Sequence, residues 1–126
     1  MLKAVKSLQF PLVASKAHPL KKSSSFREVA INSKKLRLST WLTLQMMPSP
    51  DSINYYGVTA SRKVAGSVVR NKLKRWVRNC VRSEKWPDKY NGYVFVFVFK
   101  PQAEPKFFSN LEFKEFKSLF DKINSK

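Results

Sequence analysis

The run Tyr93-Val94-Phe95-Val96-Phe97-Val98-Phe99 limits the fold more than any other stretch of the chain. β-branched and aromatic residues alternate through it, so a strand puts aromatic rings on one face and valines on the other. Both faces are apolar, the pattern of a central strand rather than an edge. Lys100-Pro101 ends it, because proline cannot continue a ladder. At seven residues it is far short of the roughly 20 needed to cross a bilayer as a helix.

Other segments supply partners for that strand. Leu36-Arg37-Leu38 alternates, Trp41 to Met46 is β-rich, and Pro48-Ser49-Pro50-Asp51 breaks the pattern into a loop. Ile53 to Ala60 reads as a further strand, with Tyr55, Gly57 and Thr59 facing one way and Tyr56, Val58 and Ala60 the other. Helices are expected in three places. One runs through Phe26 to Ala30, capped by Ser23, Ser24 or Ser25, with Glu28 in its first turn. A second opens at Gly66-Ser67 with Ser67 as N-cap and ends near Glu84-Lys85, and a third runs from Leu111 to Ile123 with Ser109 as cap. The order predicts an α+β two-layer sandwich, one sheet with helices against it. A chain of 126 residues suits one core. Residues 1–19, basic and broken by Pro11 and Pro19, read as an extended or mobile arm, and residues 20–126 as a single domain.

The middle helix carries the charge. From Arg70 to Arg82 six residues are cationic and none is acidic. On a helical wheel Leu73, Trp76, Val77 and Cys80 lie within about 80° of Val69. Arg70, Asn71, Lys74, Arg75, Arg78 and Arg82 spread over the far side, with Lys72 and Asn79 on the flank. One face can dock on a core while the other offers guanidinium and ammonium groups to phosphates. The whole chain agrees: 25 Lys and Arg against 8 Asp and Glu give a formal charge of +17. Such an excess points to a polyanionic partner, nucleic acid first and an anionic membrane second. RNA is favoured over DNA because Phe26, Tyr55 and Tyr56 can offer rings to unpaired bases.

Catalysis by the protein alone is not supported by its residues. The single histidine, His18, lies in the arm, and Gly57, Gly66 and Gly92 are isolated rather than grouped in a phosphate loop. Glu112, Glu115 and Asp121 interleave with lysines and read as a solvated helix face, not a metal cluster. The one cysteine, Cys80, forms no internal disulfide and falls on the apolar helix face as a small core side chain. The N-terminal apolar stretch is short and broken by Gln9 and Pro11, a poor export signal, so a cytoplasmic location is expected.

Ser61-Arg62-Lys63, followed by Val68-Val69-Arg70-Asn71-Lys72-Leu73-Lys74-Arg75-Trp76-Val77-Arg78, resembles the signature of the bacterial ribonuclease P protein family. Leu20-Lys21-Lys22 with Phe26, Trp41 to Leu44, and Tyr93 to Pro101 extend the resemblance over residues 20–123 in the family's order. It implies a four-stranded mixed sheet of order αβββαβα with a left-handed crossover through the basic helix, against the usual right-handed rule. It implies a non-catalytic protein subunit bound 1:1 to the catalytic ribonuclease P RNA. That RNA would hold the Mg²⁺ that drives removal of the 5′ leader from precursor tRNA, the protein binding none alone. Arg62, Lys63, Arg70, Asn71, Lys72, Lys74, Arg75, Arg78 and Arg82 are the expected RNA contacts. Phe26, Tyr55 and Tyr56 are expected in a leader cleft between the first helix and the sheet. Ala30 stands where relatives often carry a second aromatic, and Lys72 where arginine is common. A ribosomal or other structural RNA-binding protein and a peripheral membrane protein are the competing readings.

Overall fold

The structure, a computed structural model, describes residues 17–83 and 86–123. The expected arm up to residue 16 and the expected helix end at Glu84-Lys85 lie outside them. Elements run β1 (His18–Pro19), α1 (Ser23–Asn32), β2 (Lys34–Arg37), β3 (Leu42–Pro48), β4 (Tyr55–Thr59), α2 (Ser67–Ser83), a 3₁₀ turn (Asp88–Tyr90), β5 (Tyr93–Phe99), α3 (Phe107–Asn110) and α4 (Phe113–Lys122).

The sheet has five strands in the order β1-β4-β5-β3-β2. Tyr93–Phe99 takes the central place, parallel to β4 and antiparallel to β3. β4 and β5 are joined through α2, which gives the βαβ crossover. The expected count of four is corrected by β1, which pairs parallel with β4 through His18 and Pro19. Two residues rich in neither alternation nor β-formers give no strand signal. Backbone bonds fix them, from His18 N–H to the Asn54 carbonyl at 2.9 Å and from Leu20 N–H to the Tyr56 carbonyl at 2.8 Å.

Each face of β5 found its own cover. Phe95, Phe97 and Phe99 point into the main core with Leu73, Val77, Cys80 and Val81 of α2 and Phe116, Leu119 and Phe120 of α4. Phe97 stacks on Phe120 at 5.9 Å and Phe116 on Phe99 at 6.1 Å between ring centroids. Val94 and Val96 pack on the opposite face against Val29 of α1, bordered by Leu20, Phe26, Met47 and Tyr55. The two-layer expectation is therefore corrected to helix, sheet, helices. A strand apolar on both sides has to be covered on both, and α1 does it.

Three helix starts differ from expectation. Lys22 is the N-cap of α1, so Ser23 to Ser25 form its first turn and Glu28 lies beyond it. The Gly66 carbonyl accepts the first α2 bond from Arg70 N–H at 2.9 Å, which makes Gly66 rather than Ser67 the cap. The last helix begins at Phe113 rather than Leu111, and the short α3 precedes it. Glu112, not Ser109, caps α4 in a reciprocal box with Glu115, whose carboxylate accepts from Glu112 N–H at 2.9 Å.

Candidate nucleic-acid interface

Helix α2 is amphipathic, and its polar side carries cations and no acid. Leu73, Val77, Cys80 and Val81 are buried, whereas Asn71, Lys74, Arg75, Arg78 and Arg82 are exposed. Arg70, Lys74, Arg78 and Arg82 follow one another at i,i+4 spacing. Like charges so placed each cost roughly 0.2–0.5 kcal/mol of helix stability. Arg70 also sits in the first turn, where the helix dipole disfavours a cation, and only Arg82 in the last turn is favoured by it. No ion pair joins these groups to an acid among the described residues, whereas Lys114 pairs with Glu112 and Lys117 with Asp121. Arg70 is half-buried and its Nε has no hydrogen-bond partner among them. A helix that bears this repulsion with no acid paired to it among the described residues is suited to phosphate.

Arg62 and Lys63 are exposed on the turn between β4 and α2, just before the basic helix. Lys72 points elsewhere. Its ammonium donates to the carbonyls of Phe108 at 3.1 Å and Ser109 at 3.3 Å, and lies 5.0 Å from the Trp76 ring centre.

The aromatic trio divides between the two faces of the sheet. Tyr56 pairs in register with Phe95 and belongs to the main core, while Tyr55 pairs with Val94 on the α1 side. Phe26 lies on Gly57 so closely that an added Cβ there would meet its Cε1 at 2.6 Å. Three hollows follow from this. One of about 360 Å³ lies between α1 and the sheet, lined by Lys21, Ser25, Val29, Met47, Asp51 and Tyr55. Two more, of about 270 and 360 Å³, flank the β4 edge and share Phe26, Val58 and Lys74 as walls. The smaller also takes in Tyr56 and Arg78. So Phe26 borders the edge hollows rather than the α1 hollow, and shares the smaller with Lys74 and Arg78 of the basic helix. Sequence reasoning missed this junction, because nothing local links Phe26 to Lys74 and Arg78.

Asp51 organises the rim of the α1 hollow. It accepts from Ser49 Oγ at 2.6 Å, Tyr55 Oη at 2.7 Å and Ile53 N–H at 3.1 Å. Those bonds, Ser49's first, hold its carboxyl below the usual carboxylate range, and donation to Asp51 raises the Tyr55 phenol.

Fold and site together define a class: a basic α+β protein with its charge gathered on one helix face beside an aromatic-walled sheet edge. Residues 14–124 match the family model for Ribonuclease P. The ribonuclease P protein component of Clostridium botulinum is 32% identical over 97 residues, covering 77% of this chain and 86% of that protein. That of Gluconacetobacter diazotrophicus is 33% identical over 100 residues, covering 79% and 85%. The RNase P protein from Thermotoga maritima has the same fold, with a TM-score of 0.69 at 20% identity over 86% of this chain and 97% of that one. The Staphylococcus aureus RNase P protein gives 0.70 at 15% identity over 87% and 94%. The chain belongs to the ribonuclease P protein family. It is thus a protein subunit of an endoribonuclease complex of tRNA processing, with ribonuclease P RNA as its partner.

Proposed function

We propose that this subunit binds the catalytic RNA through its basic helix and the single-stranded 5′ leader of precursor tRNA beside it, and leaves the chemistry to the RNA. The observation that carries this is the uncompensated ladder Arg70, Lys74, Arg78 and Arg82 adjoining the Phe26 hollows through Lys74 and Arg78. Arg62, Lys63, Asn71 and Arg75 complete the RNA face. Phe26 and Tyr55 are the leader-side rings, while Tyr56 supports the sheet edge from the core.

Binding one subunit to one RNA places positive charge where phosphates crowd, which lowers the Mg²⁺ needed to fold and act. Mg²⁺ in this reading is held mainly by the RNA and supplies the activation of water. Among the described residues no three His, Cys, Asp or Glu side chains converge. No helix among them is long and apolar enough to cross a membrane, and the reading places the complex in the cytoplasm. The left-handed sense of the β4–α2–β5 crossover belongs to the same reading. The test is direct. Purified protein added to ribonuclease P RNA at low Mg²⁺ is expected to raise precursor-tRNA cleavage, and no gain would overturn the proposal.

A further inference from the structure

One cation of the basic helix stands apart from its ladder. Lys72 is half-buried, and its ammonium lies where α2, α3 and the first turn of α4 converge. Two of its donors go to the Phe108 and Ser109 carbonyls, 3.1 and 3.3 Å away. Those carbonyls lie in the last turn of a four-residue helix, which cannot satisfy them internally. The same ammonium lies over the Trp76 ring at 5.0 Å, within cation–π range. Trp76 in turn meets Phe113 at 5.9 Å and Phe116 at 6.4 Å, both on α4.

We propose that Lys72 is a positioning residue: it fastens the basic helix to the C-terminal helices and sets the angle at which Arg75 and Arg78 meet the RNA, without touching RNA itself. The inference rests on the RNA-binding reading above. Turning Lys72 toward a phosphate would strip two carbonyls of their donor and the Trp76 face of its cation. Lys74, Arg75 and Arg78 are exposed and carry no such ties among the described residues. Arginine at this position can span the same two carbonyls with its fork, so the role does not need a lysine.

The experiment measures binding to ribonuclease P RNA across a salt series for the wild-type chain, Lys72→Met, Lys72→Arg and Arg75→Met. Lys72→Met is expected to weaken binding about three- to tenfold at every salt concentration with the log–log slope unchanged. Lys72→Arg restores the affinity. Arg75→Met lowers the slope by about one, as loss of a phosphate contact does. A slope reduced by about one in Lys72→Met makes Lys72 a phosphate contact and overturns the proposal. Wild-type affinity in a folded Lys72→Met reduces it to a fold contact and overturns it equally. A wild-type measurement stands independent of folding: the Trp76 indole signal in NMR is expected to stay in place as RNA is added. A shift as large as those of the Arg75 side chain sinks the idea. If the wild-type chain itself shows no salt-dependent binding, the RNA reading fails rather than the assignment of Lys72.

Discussion

At the scale of single residues, Gly57 and Asp51 decide the shape of the sheet face that α1 covers. The Phe26 ring occupies the space that a Cβ at Gly57 would take, with Cε1 at 2.6 Å and Cζ at 2.8 Å. Gly57→Ala must push the ring off the β4 edge. It is expected to cost about 1–3 kcal/mol of stability in a denaturant titration and to weaken leader binding. A variant with both unchanged would show that the ring is free to move. Asp51 makes a pH prediction. Its pKa lies below the ordinary 3.8, so its contribution is present above that value and is lost as pH falls through the folded-state pKa. Tyr55 lies above its ordinary 10.0, so its contribution is complete below 10.0 and is lost as pH rises through the folded-state value. Asp51→Asn removes the acceptor that Tyr55 serves, and an NMR titration of the Tyr55 ring is expected to return toward 10.0. An unmoved titration would mean that the Tyr55–Asp51 bond is not the cause.

At the scale of elements, what was legible in the sequence followed periodicity, and what was not followed tertiary contact. The 100° pattern of Val69, Leu73, Trp76, Val77 and Cys80 located α2 and its buried side, and the alternation of Tyr93 to Phe99 located the central strand. Helix starts were misplaced because several residues near each boundary can cap, and only the backbone decides among them. Around α4, Ser109 and Glu112 are both plausible; the reciprocal bonds of Glu112 and Glu115 select the acid. Those two acids read as a solvated face because a capping box needs the helix start to be known first. The separate setting of Lys72 on α2 was equally hidden. Its ladder of cations is visible in the sequence, but Lys72 differs from Lys74 only through the Phe108 and Ser109 carbonyls, which lie on a distant segment. A wheel placed Lys72 on the flank, and the structure gives that flank its neighbour.

At the scale of the whole molecule, the two apolar faces of β5 and the charge of the chain pull against each other. Covering both faces brings α1, α2 and α4 around one sheet, so most of the chain's formal +17 is carried on a small body. Self-repulsion of that size weakens the compact state, and acids are too few to offset it. Salt therefore acts in opposite directions on the free and bound protein. Raising it toward about 0.1 M shortens the Debye length to about 10 Å and screens the repulsion, so the melting temperature of the free chain is expected to rise. The same change weakens the complex by restoring competition from counterions, so RNA affinity falls. RNA in excess is expected to raise the melting temperature at low salt by mass action, and less so as salt increases. Thermal melts with and without ribonuclease P RNA at several salt concentrations measure both trends. A free chain whose melting temperature falls with salt over that range would show that its cations are already compensated within the fold, and would remove the charge argument for a polyanionic partner.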